Sequence, residues 1–229
     1  CDPWELYLRL REVNPAPFAA YLDYPDVAIL SASPEEFLRL ENGVVHSRPM
    51  KGTRPRGKTR AEDQQLTAEL LTSEKDRAEN VMIVDLLRND LGRVCTPGSI
   101  RVPQLCQLES YPNVHHLVSV VQGQLAAQHS PLSLLTAAFP GGSITGAPKI
   151  RAMQIIDELE PCQRSVYCGS LGYIDVRGSM DTSIAIRTMV ADDGALHVWG
   201  GGGLVADSKA DEEYTETLDK IRHLIDALE

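Results

Sequence analysis

Positive charge is scarce in this sequence relative to negative charge. Of the 229 residues, 22 are lysine or arginine and 32 are aspartate or glutamate, which gives a formal net charge of −10 at pH 7. A protein that binds nucleic acid needs a basic surface to neutralise phosphates, so this balance argues against nucleic acid as a partner. If the ligand is itself an anion, local arginine, lysine or a metal ion must supply the positive charge.

Long apolar runs and paired cysteines are also missing. No apolar stretch approaches the roughly 20 residues of a membrane-spanning helix, and no signal-peptide pattern opens the chain, so we expect no membrane association. The five cysteines are odd in number and scattered, and none forms a Cys-x-x-Cys pair. This usage favours a reduced, cytoplasmic setting.

The length and the 43% hydrophobic content suffice for one large domain with a core, and we predict a single domain over residues 1–229. Because the first residue is Cys1 rather than methionine, we expect the chain to be a piece of a longer protein.

The first third of the chain is predicted to consist of strands. Residues 27–31 form one, and residues 37–40 and 44–48 flank Glu41-Asn42-Gly43 as the two arms of a hairpin. Residues 49–58 are rich in proline, glycine and arginine and are predicted to be a loop.

Helices and further strands follow. Ser73 is a favoured N-cap, and Gly92 is a favoured stop for the helix that it begins. A strand is predicted at 116–122, and three strand-like runs lie between 165 and 205. Helices are predicted at 61–71, 73–91, 130–139, 148–160 and 209–228. Strands grouped in hairpins, with helices between the groups, indicate an α+β fold with mostly antiparallel sheets.

Lys51 lies in a short polar step, Arg48-Pro49-Met50-Lys51-Gly52-Thr53. A lysine beside Gly-Thr can be an ordinary loop cation, or it can be an amine nucleophile. Ser33-Pro34-Glu35, which ends sixteen residues earlier, offers a carboxylate that could handle a proton.

The second predicted helix carries acids on its apolar side. Glu79 shares a face with Met82, Ile83 and Leu86, and Asp76 lies one turn earlier. Burying an unpaired carboxylate is costly, so something must compensate it. One interpretation is a salt bridge with an arginine, or an acid favoured by the helix dipole; the other is a metal ion.

The last predicted helix repeats this pattern. Its core stripe is predicted to be Tyr214, Leu218, Ile221, Ile225 and Leu228.

Glu213, Glu216 and Lys220 lie together on a neighbouring face, either as a solvated surface or as part of a site. Two carboxylates about 4 Å apart repel by roughly 4 kcal/mol at an effective dielectric of 20, a cost that a hard cation between them removes. Ligands that are all oxygen favour Mg²⁺.

Two glycine-rich segments allow a structural and a functional interpretation. Gly200-Gly201-Gly202-Gly203 matches no phosphate-loop or dinucleotide pattern; it is a flexible bend or a place where a ligand approaches the backbone. The segment 141–145 precedes a helix N-terminus, where amides and hydroxyls can hold an anion, although such turns also occur without ligands.

Polar residues in predicted strands also allow both a structural and a functional interpretation. His115 and His116 begin a strand, and alternation turns only one of them inward. Arg187 is a charge within an apolar strand, either at an exposed alternate position or as a bidentate clamp for a carboxylate.

Taken together, these segments resemble the chorismate-utilising enzymes, and within them the aminodeoxychorismate synthase branch. The resemblance runs in order over nearly the whole chain. The matching segments are residues 33–35, 49–53, 76–80, 85–91, 116–119, 139–149, 181–188 and 201–220.

The resemblance implies two large, mostly antiparallel sheets packed together with helices outside, a chorismate site, and Mg²⁺. It implies that Glu79 and Glu216 are direct metal ligands, and that Asp76 and Glu213 support them.

It also implies how the substrate is held. Arg187, Tyr167 and the backbone at Gly203 would hold the enolpyruvyl carboxylate. Gly52, Thr53 and Lys220 would lie near the ring carboxylate, and His116 and Ser143 would line the ring.

Lys51 selects the branch, because the anthranilate and isochorismate synthases carry a small residue at this position. In the aminodeoxychorismate enzymes a lysine is thought to attack the ring, and Glu35 would protonate the departing hydroxyl. Ammonia is expected from a separate glutamine amidotransferase subunit, or from free ammonium, because no glutaminase triad is visible here.

Other interpretations of the same residues stay open. The chain could make anthranilate or isochorismate, Lys51 could be a cation that positions a carboxylate, or a truncated chain could be a non-catalytic module. Family members carry a further N-terminal region with part of an amino-acid pocket, so no tryptophan site is assigned.

Overall fold

Two antiparallel sheets organise the chain in the computed structural model, which describes residues 2–111, 114–206 and 208–228. The chain divides into two compact units. Unit 1 comprises residues 1–35, 162–171 and 183–229, and unit 2 comprises residues 36–161 and 172–182. Each unit is built from separate stretches of sequence, and one domain over residues 1–229 stays a prediction.

Unit 1 is built on a four-stranded sheet with strand order β1-β2-β10-β11. Its strands are β1 (Phe18–Asp23), β2 (Val27–Ser33), β10 (Thr188–Asp192) and β11 (Ala195–Val198), and its helices are α1 (Pro3–Val13) and α6 (Ala210–Asp226). The apolar core joins both helices to this sheet through Leu6, Tyr7, Leu10, Ala28, Leu30, Met189, Leu224 and Ala227.

The prediction that the first third consists of strands is wrong for α1. The Asp2 side chain accepts a hydrogen bond from the Trp4 amide at 2.7 Å, and Pro3 occupies the first helical position. Both features favour a helix start. Leu6 and Leu10 are then buried four residues apart, as one face of a helix requires.

The predicted core stripe of the last helix is also wrong. Tyr214 is 67% exposed, whereas Leu224 is completely buried and Ile221 is partly buried. The face of α6 that packs on the sheet passes through Ile221, Leu224 and Ala227, so the helix is rotated from the predicted stripe. Glu213 is buried as well, at 8% exposure.

Unit 2 holds a seven-stranded sheet, except that residues 170–171 and 183–184, at the ends of two of its strands, belong to unit 1. The order is β5-β7-β4-β3-β9-β8, and β6 pairs with β7. The strands are β3 (Glu36–Glu41), β4 (Val44–Ser47), β5 (Met50–Pro55), β6 (Arg101–Ser110), β7 (Val114–Gln124), β8 (Ser170–Ile174) and β9 (Met180–Ile184). The helices are α2 (Arg60–Thr72), α3 (Glu74–Gly92), α4 (Pro131–Ala138) and α5 (Lys149–Leu159), and a 3₁₀ turn spans Gly142–Ile144.

Residues 49–58 contain a strand where a loop was predicted. β4 and β5 follow one another along β7, and the Ser119 amide donates to the Pro49 carbonyl at 3.0 Å between them. Two prolines and two glycines weaken the local preference for a strand, but β7 supplies the partner that the sequence pattern does not show. β6 was not predicted either.

Most other elements lie where the sequence predicted them. The hairpin of β3 and β4 turns at Asn42 and Gly43, both with positive φ, and Ser73 caps α3. Four strands rather than three occupy residues 165–205. The α+β class with antiparallel sheets is confirmed. None of the described helices has both the length and the apolar character needed to cross a membrane.

Two carboxylates in unit 2 have incomplete hydrogen bonding. Glu36 is 9% exposed, and among the described residues Glu36 Oε1 and Asp181 Oδ1 are buried without a hydrogen-bond partner. Burial raises the pKa of Glu36; Arg39 opposes this and Asp181 adds to it. Burial also raises the pKa of Asp181, against the effect of Arg39.

We expect Glu36→Gln to stabilise the protein at pH 8 and to change its stability little at pH 4. A folded pKa above the unfolded one gives stability that is fully present below the unfolded pKa, near 4, and is lost as pH rises through the folded value. The gain at pH 8 should be on the order of 1 kcal/mol. Urea unfolding at both pH values measures it, with the exposed Glu41→Gln as control. Equal effects at both pH values would contradict this account.

Candidate active site

A β-bulge in unit 2 positions the Lys51 segment. Lys51 pairs with Leu117 of β7 and Thr53 pairs with His116, so the register shifts at Gly52. Gly52 has φ +73°, and a Cβ there would lie 2.8 Å from Leu70 Cδ1 and 2.9 Å from the Asp76 side chain. Only glycine suits this position, and bulges of this kind redirect neighbouring side chains.

The bulge brings five of the predicted site residues together. The half-buried Lys51 donates from Nζ to the Ser143 carbonyl oxygen at 3.2 Å. His116 Nδ1 lies 3.0 Å from Thr53 Oγ1 and 3.4 Å from the Gly52 carbonyl oxygen. Residues that are far apart in sequence therefore meet at the bulge that carries Lys51.

The acids of α3 stand beside this group. Asp76 lies in the first turn, where its amide donates to Ser73 Oγ at 3.2 Å. Its carboxylate meets Arg54 at 3.4 Å, so the salt-bridge interpretation holds for Asp76. Glu79 is half-buried one turn later, as its position on the apolar side predicted.

Hydrogen bonds in unit 1 fix the Ser33-Pro34-Glu35 turn. The Glu35 amide donates to Ser33 Oγ at 3.3 Å, and Ser33 Oγ donates to the Ile184 carbonyl at 2.6 Å. The Ile184 amide donates back to the Glu35 carbonyl at 3.1 Å. Glu35 is 5% exposed, so the residue is buried, and these hydrogen bonds hold its backbone in place.

Arg187 lies between β9 and β10, so its predicted place inside a strand is wrong. Its φ of +51° is in the left-handed region, which is unusual for a residue with a long side chain. Burial lowers the pKa of Arg187, while Tyr167, Glu35 and Glu216 raise it. Its guanidinium donates no hydrogen bond to any described residue, which leaves its donors available for an anionic ligand.

The glycine run approaches Tyr167 closely. A Cβ on Gly201 would lie 2.8 Å from Tyr167 Oη, so a larger residue would displace the phenol. The Tyr167 ring stacks on Trp199 at a centroid distance of 6.5 Å. Burial raises the pKa of Tyr167, so its hydroxyl stays a hydrogen-bond donor. Gly203 follows in the same run and is exposed.

Helix α6 brings two acids and a lysine to these glycines. Glu213 accepts a hydrogen bond from Ser208 Oγ at 2.5 Å, and a Cβ on Gly202 would lie 3.2 Å from Glu213 Oε2. Lys220 Nζ contacts Glu216 at 2.5 Å and donates to the Gly201 carbonyl at 3.3 Å. Glu213, Glu216 and Lys220 therefore do not form a purely solvent-exposed surface.

The predicted metal ligands form two pairs, Asp76 with Glu79 and Glu213 with Glu216. Among residues 2–111, 114–206 and 208–228, no group of three or more histidine, cysteine, aspartate or glutamate side chains is arranged to hold a metal ion. The donor chemistry still suits Mg²⁺, which prefers oxygen, often uses only one or two protein carboxylates and keeps several waters.

Two further charged or titratable groups near the site have no role in the sequence-based prediction. His115 is the inward member of the histidine pair, and its Nε2 lies 3.0 Å from Asp63 Oδ1. Arg56 also binds Asp63, and its bonds lower the pKa of that carboxyl, as do the Gly57 amide and His115. This clamp ties the end of β5 to α2 and β7. Lys149, the second such group, lies in a segment that supported the resemblance.

Comparison with known proteins identifies the family of the chain. The sequence matches the family described as chorismate binding enzyme over residues 1–226. The chain belongs to this family. It is 54% identical over 228 residues to aminodeoxychorismate synthase component 1 of Salmonella typhimurium, with 100% of this chain and 50% of that protein covered.

Other family members are also similar to the chain. It is 47% identical over 228 residues to anthranilate synthase component 1 of Aquifex aeolicus, with 100% of this chain and 46% of that protein covered. The crystal structure of anthranilate synthase component I from Streptococcus pneumoniae matches with a TM-score of 0.88 and 40% identity, over 97% of this chain and 49% of that one. The chain spans about half the length of the curated relatives it matches.

We expect Gly52→Ala to destabilise the protein more than Gly98→Ala. Both glycines have a positive φ, +73° and +75°, which penalises alanine by about 1 kcal/mol at either position. A Cβ at Gly98 would meet nothing within 4 Å, whereas one at Gly52 would clash. Overpacking at Gly52 should add about 1–3 kcal/mol in urea unfolding. Equal losses would show that the bulge is not closely packed.

Proposed function

We propose that the protein containing this chain is an aminodeoxychorismate synthase, which converts chorismate and ammonia to 4-amino-4-deoxychorismate and water. The observation that carries this proposal is Lys51, a half-buried amine held by the Ser143 carbonyl beside the Gly52 bulge. The names of the relatives at about 50% identity support it.

In the proposed reaction the neutral Lys51 amine attacks ring carbon C2 while the C4 hydroxyl leaves. Glu35 protonates that hydroxyl, which departs as water. Ammonia then adds at C4, and the Lys51 amine leaves C2 to restore the ring double bonds. An amine nucleophile thus divides one difficult substitution into two easier allylic displacements. The buried and hydrogen-bonded turn at Glu35 supports its role as an acid.

Substrate binding would use fixed donors. Arg187 and Tyr167, with the backbone at Gly203, would hold the enolpyruvyl carboxylate, because the Arg187 guanidinium has no hydrogen bond of its own to the described residues. A desolvated guanidinium discriminates strongly in favour of an anion that satisfies it.

The remaining substrate contacts come from residues around the amine and from α6. Gly52, Thr53 and Lys220 would bind near the ring carboxylate. His116 and Ser143 would line the ring, in keeping with their contacts to the Lys51 segment.

Mg²⁺ is part of the proposal, with Glu79 and Glu216 as direct ligands and Asp76 and Glu213 in support. The all-carboxylate donor set fits this ion. When bound, Mg²⁺ would neutralise charge on the ring carboxylate. Asp76 and Glu216 already have cationic partners, Arg54 and Lys220, which orient the two carboxylates.

The ammonia is proposed to come from a separate glutamine amidotransferase subunit, since several relatives are named component 1. We propose a cytoplasmic location, in keeping with five scattered cysteines and the lack of a Cys-x-x-Cys pair in the sequence. Anthranilate synthesis is the second candidate, favoured by the 47% identity to an anthranilate synthase and opposed by Lys51.

The first test is product identification. The intact protein, incubated with chorismate, Mg²⁺ and ammonium, should yield 4-amino-4-deoxychorismate by mass spectrometry and chromatography. Lys51→Ala should lower its formation at least about 100-fold, because the nucleophile is lost. Lys58→Ala, an exposed lysine of the same segment, is the control and should keep the parent rate. If anthranilate or isochorismate dominates, the proposed function is wrong.

A second test concerns Arg187. Arg187→Lys should raise KM for chorismate by about tenfold or more, because an ammonium cannot reproduce the planar, bidentate contact. Arg177→Lys is the matched control, since the Arg177 side chain is 83% exposed and pairs only locally with Asp175. Steady-state kinetics measures both, and an unchanged KM for Arg187→Lys would remove Arg187 from carboxylate binding.

A further inference from the structure

The ammonium of Lys149, in unit 2, has all three of its donors engaged. Nζ lies 2.6 Å from Asp90 Oδ2, 2.7 Å from the Ala138 carbonyl oxygen and 2.7 Å from the Pro140 carbonyl oxygen. The side chains of Lys149 and Asp90 are 14% and 6% exposed. A lysine offers three hydrogens, so this set leaves it without unsatisfied donors.

A buried ion pair is an inefficient source of stability, because desolvating two charges offsets most of their attraction. Apolar residues of similar volume often replace such a pair without loss of stability. The pair therefore calls for a role other than stabilising the fold. Lys149 binds the carbonyl oxygens of Ala138 and Pro140, at the start of the connection between α4 and α5. The role therefore concerns the loop that joins these two helices.

That loop is fixed to α3 at two points. Asp90 anchors it through Lys149, and Leu86, one turn earlier on α3, packs against Gly142. A Cβ on Gly142 would lie 2.9 Å from Leu86 Cδ2, so the backbone lies directly on the leucine. Thr145 Oγ1 closes the loop by donating to the Gly141 carbonyl at 2.9 Å.

The fixed loop presents a single polar atom to the amine. The Ser143 carbonyl, three residues beyond Pro140, accepts from Lys51 Nζ at 3.2 Å. Asp90 thus connects to Lys51 through Lys149, the Pro140 carbonyl and the backbone of residues 141–143. Neither Asp90 nor Lys149 forms a hydrogen bond or ion pair with Lys51.

We infer that Lys149 and Asp90 are positioning residues for Lys51. By holding the loop on α3 they fix the Ser143 carbonyl, which orients the Lys51 amine and directs its lone pair at the substrate carbon. The inference rests on the proposed function, because it assigns the pair to the nucleophilic step. Misplacing a reacting group by about 1 Å can cost about 100-fold in rate.

The test compares two double variants of the intact protein. Asp90→Leu with Lys149→Met replaces the buried pair by apolar side chains of similar size and avoids the uncompensated charge that either single change would leave. Asp85→Leu with Arg88→Met is the control, because it removes an ion pair of the same helix that is more than half exposed.

The decisive readout is the covalent adduct on Lys51. Without ammonia the adduct should accumulate after mixing with chorismate and Mg²⁺, and intact-protein mass spectrometry follows its rate. For the buried-pair variant we expect at least a tenfold slower adduct and a similar fall in kcat, with KM for chorismate changed less than threefold. The control variant should match the parent in all three.

Each other outcome has a definite meaning. A folded buried-pair variant that forms the adduct at the parent rate would overturn the inference and leave the proposed function standing. An unfolded variant would also overturn it, because the pair would then serve the fold itself. A parent protein that forms no adduct and makes a different product would overturn the proposed function, and the inference with it.

Discussion

The pairing of β5 with β7 across the Gly52 bulge is the interaction on which the candidate site in unit 2 depends. It makes a strand from residues with poor strand propensity, and it places Lys51 and Thr53 on either side of a register shift. The shift sets Thr53 against His116 and brings the backbone against Asp76. Without the β7 ladder, the same residues would have no reason to hold one geometry.

In unit 1 a strained turn, rather than a β-bulge, positions a candidate site residue. Arg187 stands in a left-handed turn just before β10, and its guanidinium is desolvated without a hydrogen bond to the described residues. A protein maintains such a group only where the surrounding structure fixes it. Hydrogen bonds among Ser33, Glu35 and Ile184, and the ladder of β10 with β2, supply that support.

Charges in unit 2 that are at least partly shielded from solvent fall into two classes. Lys149 and Asp63 are saturated with partners, and each ties backbone segments together. Glu36 and Asp181 are undersatisfied, and their raised pKa values show that burial outweighs the help of Arg39. A saturated charge fixes geometry, whereas an undersatisfied one makes stability depend on pH.

The sequence by itself determined the elements whose signals are local. The cap at Ser73 and the Asn42-Gly43 turn both predicted structure correctly, because each depends on residues within a few positions. Lys51, Arg187 and the acids could be singled out for the same reason, as charges in apolar or glycine-rich surroundings. The family followed from their order along the chain.

Only the tertiary structure decided what is non-local. β5, the rotation of α6 that buries Leu224 instead of Tyr214, and the turn at Arg187 each depend on a partner distant in sequence, which periodicity does not reveal. The sequence did not single out Asp90 or Lys149, because their role depends on the fold. Folding brings one carboxylate oxygen and two carbonyl oxygens to the Lys149 ammonium. Chemical type is written in the sequence, but the partners of each group are fixed by the fold.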